Sequence, residues 1–130
     1  MRPSVSRGGR LSRSAEFERV YRHGRSTANR HLVLYTFPNT AAERPRLGLS
    51  VSRKVGGAVQ RNRVKRLLRE SFAQAESGLA PGNDVVVVAR PSASELAERE
   101  GLAGIDAALA ELLSKAGLNE APPLAAEPAR

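Results

Sequence analysis

The sequence contains no cysteine, and its aromatic residues are only two tyrosines and three phenylalanines in 130 residues. The lack of cysteine excludes disulfides, thiolate nucleophiles and cysteine-ligated zinc sites together. We therefore expect a cytoplasmic protein. With so few rings, aliphatic side chains must fill most of the core. An exposed aromatic side chain would then be a notable use of a scarce residue type.

Long hydrophobic runs are also missing. No apolar run approaches the roughly 18 to 20 residues that cross a bilayer, and the first segment, MRPSVSRGGRLSRS, contains no apolar region of a signal peptide. A chain of 130 residues is long enough for one modest core. We expect one domain with no membrane association.

Acidic residues are scarce in the first half of the chain. Residues 1–75 carry 17 Lys or Arg against four acidic residues, whereas residues 76–130 carry four against nine, within a formal net charge of +8. Such a surplus attracts polyanions, meaning nucleic acid or an anionic membrane surface. Because the apolar runs are short, we favour nucleic acid.

Apolar periodicity predicts alternating helices and strands. The segments are a helix in SAEFERVYRHG, an edge strand in RSTAN, strands in HLVLYTF and RLGLSVS, a helix of about 15 residues from position 60, a buried strand VVVVA, and a final helix around Leu102–Leu113. This order predicts an α+β sandwich of helices on a roughly four-stranded sheet. We expect a flexible basic arm over 1–10, one nucleic-acid-binding domain over 11–118, and a disordered tail over 119–130.

The segment QRNRVKRLLRE, residues 60–70, combines an apolar stripe with a basic one. On a helical wheel Val64, Leu67, Leu68 and Phe72 share one side, and Asn62, Arg66 and Arg69 lie opposite them. A solvated helix face normally mixes charge signs, but residues 61–69 contain no acid, so neighbouring cations repel one another. Phosphates would relieve this repulsion, so the pattern favours nucleic acid over a solvated face.

A second surface combines aromatic rings with small residues. Four of the five aromatics fall within residues 17–37, and in RLGLSVS the residues Gly48 and Ser50 alternate with Leu47 and Leu49. Small polar residues on one strand face suit the floor of a groove, and rings beside it could stack on unpaired bases. The alternative is that the aromatics belong to the core, which for Phe37 is equally compatible with the pattern.

The sequence shows no group of side chains that would let the protein itself catalyse a reaction. The two aspartates, Asp84 in a predicted turn and Asp106 on the last helix, belong to no acidic cluster in the basic half. His23 and His31 suit surface or phosphate-contact roles. We assign no catalytic side chain, and the position of any metal is open.

Four blocks carry a resemblance to a known family. GGAVQRNRVKRLLRE, with GLSVSRK upstream and FERVYRHG and ANRHLVLYT before it, resembles the protein subunit of bacterial ribonuclease P over about residues 10–117. The resemblance implies a fold like the second domain of ribosomal protein S5, with a left-handed βαβ crossover around the basic helix. From periodicity alone the default would be right-handed.

The resemblance also implies a mechanism. In that family an RNA subunit is the catalyst and frees the mature 5′ end of precursor tRNA, with Mg²⁺ bound mainly through the RNA. The protein binds the catalytic RNA and holds the 5′ leader in a cleft, and no obligate protein partner is implied.

Residue roles follow from the matching positions. For the catalytic RNA they are Arg53, Lys54, Arg61, Asn62, Arg63, Lys65, Arg66 and Arg69. For the leader cleft they are Phe17, Tyr21, Tyr35 and Ser50. The alternative function is a structural RNA- or DNA-binding module, such as a ribosomal-type protein.

Overall fold

The computed structural model describes residues 14–39 and 44–118, so the arm and the tail expected over 1–10 and 119–130 lie outside the described residues. The described residues form helix α1 (Ser14–His23), strands β1 (Arg25–Ala28), β2 (Leu32–Pro38) and β3 (Arg46–Ser50), helix α2 (Ala58–Ala75), a 3-10 turn (Glu76–Gly78), strand β4 (Asn83–Ala89) and helix α3 (Ser92–Lys115). The predicted order of helices and strands is therefore confirmed.

The four strands form one mixed sheet in the order β1-β2-β4-β3. β1 and β2 are antiparallel, as are β2 and β4, whereas β3 and β4 are parallel neighbours joined through α2. β4, which contains the run VVVVA, lies between two strands and is almost wholly buried. This confirms the α+β class and the crossover through the basic helix, while the left-handed sense of that crossover stays a prediction.

The sheet has two covered faces. On the first, which we call the core face, Leu32, Leu34 and Val87 pack with side chains of α2 and α3 in the main core. On the second, which we call the groove face, Val20 of α1 packs against Val86 of β4 in a smaller cluster. Side chains of a strand alternate between faces, so α1 lies across the sheet from α2.

Helix α2 forms where its apolar spacing predicts. Its buried side chains are Val64, Leu67, Leu68, Ser71 and Phe72. At its start the side-chain carbonyl of Gln60 accepts a hydrogen bond from the Gly57 N–H at 3.0 Å, which satisfies a free donor before the first turn. The helix has 18 residues, a little longer than the sequence indicated.

Helix α3 contains a break that the periodicity did not predict. Gly101 has φ 60° and ψ −144°, a left-handed backbone conformation that favours glycine. Leu96 before the break and Ile105 after it are both buried. The break therefore redirects the helix while both segments keep their contact with the core.

Asn29 joins the turn between β1 and β2 to α3. Its side-chain oxygen accepts hydrogen bonds from the backbone N–H groups of His31 (3.0 Å) and Leu32 (2.9 Å). Its side-chain NH₂ donates to the Ala108 carbonyl at 2.9 Å. One amide therefore shapes the turn and anchors it to the helix.

Asp84 is not in a turn, which corrects the expectation from the sequence. It lies in β4 with no exposed surface, and its carboxylate accepts hydrogen bonds from three side chains. Arg46 of β3 binds both oxygens, at 2.8 and 3.0 Å, and Arg19 of α1 donates to Oδ2 at 3.1 Å. Asn39 donates from its amide at 3.2 and 3.3 Å. A buried carboxylate is tolerated when it is paired and hydrogen-bonded in this way.

These contacts decide the charge state of Asp84. Burial opposes ionisation, but the hydrogen bonds from Arg46 and Asn39, the positive charge of Arg46 and the hydrogen bond from Arg19 outweigh it. The pKa of the Asp84 carboxyl is therefore below its ordinary value. The carboxylate stays ionised at neutral pH and ties α1 and β3 to the central strand.

We expect Asp84→Asn to lower the free energy of unfolding by about 3 kcal/mol near pH 7, because Arg46 loses its buried counter-ion. A carboxyl whose pKa is lowered in the folded state stabilises fully above the ordinary aspartate pKa of about 4 and loses that contribution as pH falls through the folded pKa. Urea unfolding of both proteins should therefore show a gap that is constant from pH 6 to 8 and narrows below about pH 4. A gap that does not change down to pH 3 would contradict this role.

Candidate nucleic-acid interface

The structure brings three of the predicted cleft residues together on the groove face. The rings of Phe17 and Tyr21, one turn apart on α1, have centroids 6.3 Å apart. Tyr21 meets Tyr35 of β2 edge to face, at 4.9 Å between centroids and 79° between planes. Tyr21 is also 39% exposed, so this scarce residue type is presented to solvent. The three rings therefore form one cluster beside the strand surface that the sequence predicted as the floor of a groove.

Ser50 lies on the same face as these rings, one row further along the sheet. Tyr35 is opposite Val86, which is opposite Gly48, whereas Ser50 is opposite Val88 in the next row. Residues directly opposite on neighbouring strands share a face. Ser50 is therefore part of the strand surface predicted as the groove floor, two strands away from Tyr35. We call the set Phe17, Tyr21, Tyr35 and Ser50 the aromatic groove.

Gly24 allows α1 to lie close to the sheet. A Cβ atom at this position would lie 2.3 Å from the Thr36 carbonyl oxygen and 2.5 Å from that of Val20. Any larger residue would have to push the end of α1 away from β2. Gly24 therefore helps to set the distance between the aromatic residues of α1 and Tyr35.

Phe37 lies on the other side of α1 from the groove. Its ring is 5.3 Å from the Arg19 guanidinium carbon and 6.4 Å from the His23 ring centroid. It is half-buried and packs with the cluster of Val20 and Val86. Of the two interpretations that the sequence left open for Phe37, packing under α1 is the one seen.

The exposed side of α2 carries the predicted cations. Asn62, Arg66 and Arg69 are exposed, and Arg63 and Lys65 on the flanks are half-buried. We call these five residues the basic stripe. Among residues 14–39 and 44–118, no carboxylate forms an ion pair with Arg53, Lys54, Arg61, Arg63, Lys65 or Arg66. These six cations are not neutralised within the described part of the chain.

The acidic residues of the second half are used elsewhere. On α3, Glu95 pairs with Arg99 at 3.4 Å and Glu111 pairs with Lys115 at 3.3 Å, each one turn apart along the helix. Although α3 packs against α2, these carboxylates pair within their own helix. These carboxylates therefore leave the six cations named above unneutralised.

The turn between β3 and α2 connects the two surfaces. It carries Arg53 and Lys54, both exposed, shortly after Ser50. Arg61 Nε donates to the Gly56 carbonyl at 3.2 Å, which holds the turn against the first turns of the helix. Cations therefore continue from the end of the groove floor to the basic stripe.

One exposed residue of this surface was missed in the sequence. Val59 is 71% exposed, and it lies three and seven positions before Asn62 and Arg66, on the same side of the helix. The position of Val59 on a helical wheel, beside Asn62 and Arg66, could have indicated that it is exposed. An apolar side chain is thus present within a surface that is otherwise cationic.

The described residues include no group of three or more His, Asp or Glu side chains that could hold a metal ion. Both oxygens of Asp84 are occupied by arginine donors. The described part of the chain therefore does not fit a Mg²⁺ site made by the protein alone. In the same residues, no helix has the length and apolar character needed to cross a membrane.

Comparison with known proteins identifies the family. A family model described as Ribonuclease P covers residues 5–116. The chain belongs to the ribonuclease P protein family. It is thus the protein component of this endoribonuclease, which matures the 5′ ends of tRNA, and the resemblance seen in the sequence is confirmed.

Relatives in the family include the ribonuclease P protein component of Shouchella clausii, 48% identical over 91 residues, which are 70% of this chain and 75% of the relative. That of Geobacillus kaustophilus is 41% identical over 108 residues, 83% of this chain and 86% of the relative.

Solved structures in the family share the fold. The Staphylococcus aureus RNase P protein has a TM-score of 0.76 and 37% identity, covering 85% of this chain and 96% of that chain. The Thermotoga maritima protein has a TM-score of 0.74 and 33% identity, covering 82% and 96%.

Replacing Arg66 by Gln should weaken binding to a bacterial ribonuclease P RNA about tenfold at low salt, as expected for loss of one charge-assisted contact. The slope of log affinity against log salt concentration is negative, and its magnitude should decrease by about one because one phosphate contact is lost. Filter-binding titrations at several salt concentrations measure both quantities.

The matched control is Arg99→Gln, which removes one exposed arginine charge from α3. It should leave affinity and salt slope close to those of the wild type. Equal losses in the two variants would indicate that net charge, and not the basic stripe, governs binding.

Proposed function

We propose that this chain is the accessory RNA-binding subunit of a ribonuclease P, in which the basic stripe binds the catalytic RNA and the aromatic groove holds the 5′ leader of precursor tRNA. The observation that carries the proposal is the pair of surfaces described above. On one, Arg63, Lys65 and Arg66 form no ion pair with a described carboxylate, and on the other three aromatic rings cluster, of which Tyr21 is exposed. A precursor tRNA substrate also implies that the protein works in the cytoplasm.

The basic stripe suits a folded RNA for an electrostatic reason. Like charges at helical spacing repel, and the described residues supply no carboxylate to Arg63, Lys65 or Arg66. Phosphates that approach this face would relieve the repulsion and release counterions, which gives tight but salt-sensitive binding. Such contacts position an RNA without reading its sequence.

The aromatic groove suits a single strand. An unpaired base could stack on the exposed Tyr21 ring or on Phe17, and base stacking on aromatic rings contributes roughly 1 to 3 kcal/mol per base with little sequence preference. The floor offers the small, half-buried side chain of Ser50, so a strand could approach the sheet there. Leaders of differing sequence require this tolerance.

We further propose that the RNA subunit carries the chemistry and binds most of the Mg²⁺. The described residues form no acid cluster that could hold the metal. The contribution of the protein is then to bind the catalytic RNA with the basic stripe and to orient the leader in the groove, so that the scissile bond is held in position.

Reconstitution tests the proposal directly. The full chain mixed with a bacterial ribonuclease P RNA should stimulate cleavage of a leader-bearing precursor tRNA at low Mg²⁺, where the RNA alone is slow. An unrelated protein of similar net positive charge serves as the control and should not stimulate. If the chain binds the RNA but gives no stimulation, a structural nucleic-acid-binding module becomes the better description.

Phe17→Leu tests the groove, because leucine keeps an apolar side chain on α1 but removes the flat ring. We expect the affinity of the holoenzyme for leader-bearing precursor to fall about tenfold, the value of one lost stacking contact, with little change for mature tRNA. Equilibrium binding of both RNAs measures the difference.

Tyr21→Phe is the ring-preserving control and should retain the preference for the leader. If Phe17→Leu weakened binding of both RNAs equally, the ring would have no specific contact with the leader.

A further inference from the structure

The described part of α1 is held to the sheet by few contacts. Of its side chains at positions 17–23, Val20 is the one that is buried. Phe17 packs against the cluster of Val20 and Val86 but is only half-buried, so the apolar surface that holds this part of the helix is small. Other contacts must therefore contribute to holding α1, and with it Phe17 and Tyr21, in place.

Arg19 supplies such contacts. Its guanidinium donates to Asp84 Oδ2 at 3.1 Å and lies 5.3 Å from the centre of the Phe37 ring. Asp84 is fully buried in the central strand and is fixed by the two hydrogen bonds from Arg46. Arg19 is therefore tied to a rigid point of the sheet, although its own side chain is 43% exposed.

Arg19 and the groove rings lie on opposite edges of the helix. At 100° per residue, Arg19 projects from nearly the opposite side of α1 to Phe17 and Tyr21. In agreement, Arg19 contacts Phe37, whereas Tyr21 contacts Tyr35, two residues away on β2. A contact on one side of α1 thus fixes the rotation of the helix about its own axis. That rotation determines the direction in which the rings on the other side point.

We propose that Arg19 is a positioning residue for the aromatic groove, acting through its ion pair with Asp84 and its contact with Phe37 and not by touching RNA. The inference rests on the proposed binding of the leader in the groove. It adds a residue on the far side of the helix to those that determine how well a leader is held.

The test uses holoenzyme reconstituted from the full chain and a bacterial ribonuclease P RNA. Arg19→Gln should weaken binding of leader-bearing precursor about fivefold, the upper range for a partly exposed ion pair, and leave binding of mature tRNA unchanged. Asp84 keeps Arg46 and Asn39 as partners in this variant, so the fold should remain intact.

Arg22→Gln is the matched control. Arg22 lies on the same helix and carries the same charge, but it pairs with the exposed Glu18 at 2.9 Å. This variant should bind both RNAs within about twofold of the wild type, as expected for an exposed pair. If Arg22→Gln matched Arg19→Gln, helix charge and not positioning would be responsible, and the inference would be overturned.

A second measurement reports the ring geometry without any RNA. The chain has two tyrosines, and they are the edge-to-face pair Tyr21 and Tyr35, so tyrosine-labelled protein should give two sets of ring signals in NMR spectra. Arg19→Gln should shift both sets, and Arg22→Gln should shift neither. Weaker leader binding with unchanged tyrosine signals would mean that Arg19 touches the RNA itself and would refute a positioning role.

The outcomes separate this inference from the proposed function. If the wild-type holoenzyme does not distinguish leader-bearing from mature tRNA, the proposed function fails and the inference fails with it. If the wild type distinguishes them and Arg19→Gln does so equally well, the inference alone fails.

Discussion

The arrangement of the molecule depends on the burial of β4. This strand is hydrogen-bonded to neighbours on both sides, and its valines point alternately to two faces that both need cover. The segment Val85–Ala89 is apolar at every position, and such a segment requires packing on each face. α2 and α3 cover one face and α1 covers part of the other, so the basic stripe and the aromatic groove lie on different sides of one sheet. The division into two binding surfaces is thus a consequence of core formation.

The carboxylates of the described residues are placed in keeping with the division into two surfaces. Glu95, Glu100 and Glu111 of α3 pair with cations on α3, and the carboxylate of β4 pairs with arginines of α1 and β3. None of these carboxylates pairs with Arg63, Lys65 or Arg66 of α2, or with Arg53 or Lys54 of the preceding turn. Electrostatic repulsion along α2 is the physical basis for assigning it to a polyanionic partner.

Much of the fold and of the two surfaces could be predicted because they depend on local periodicity. Alternation placed Leu47 and Ser50 on opposite faces of β3, and helical spacing separated Val64 and Leu68 from Arg66. Predictions from the sequence were wrong or incomplete where the structure depends on contacts between residues far apart in the chain. Asp84 follows a Pro-Gly-Asn turn signal, yet its place in β4 is stabilised by Arg19 and Arg46, which are far away in the chain. The handedness of the crossover is likewise beyond periodicity, and the break at Gly101 has no signature beyond one glycine.

The burial of Asp84 has an effect on the groove floor. Among the residues of the four strands, Asp84 is the sole carboxylate, and it is enclosed and bound by two guanidinium groups. The sheet therefore presents no anionic group to anything laid across it. A sugar-phosphate chain could approach this surface as closely as its shape allows, without repulsion from the strands beneath.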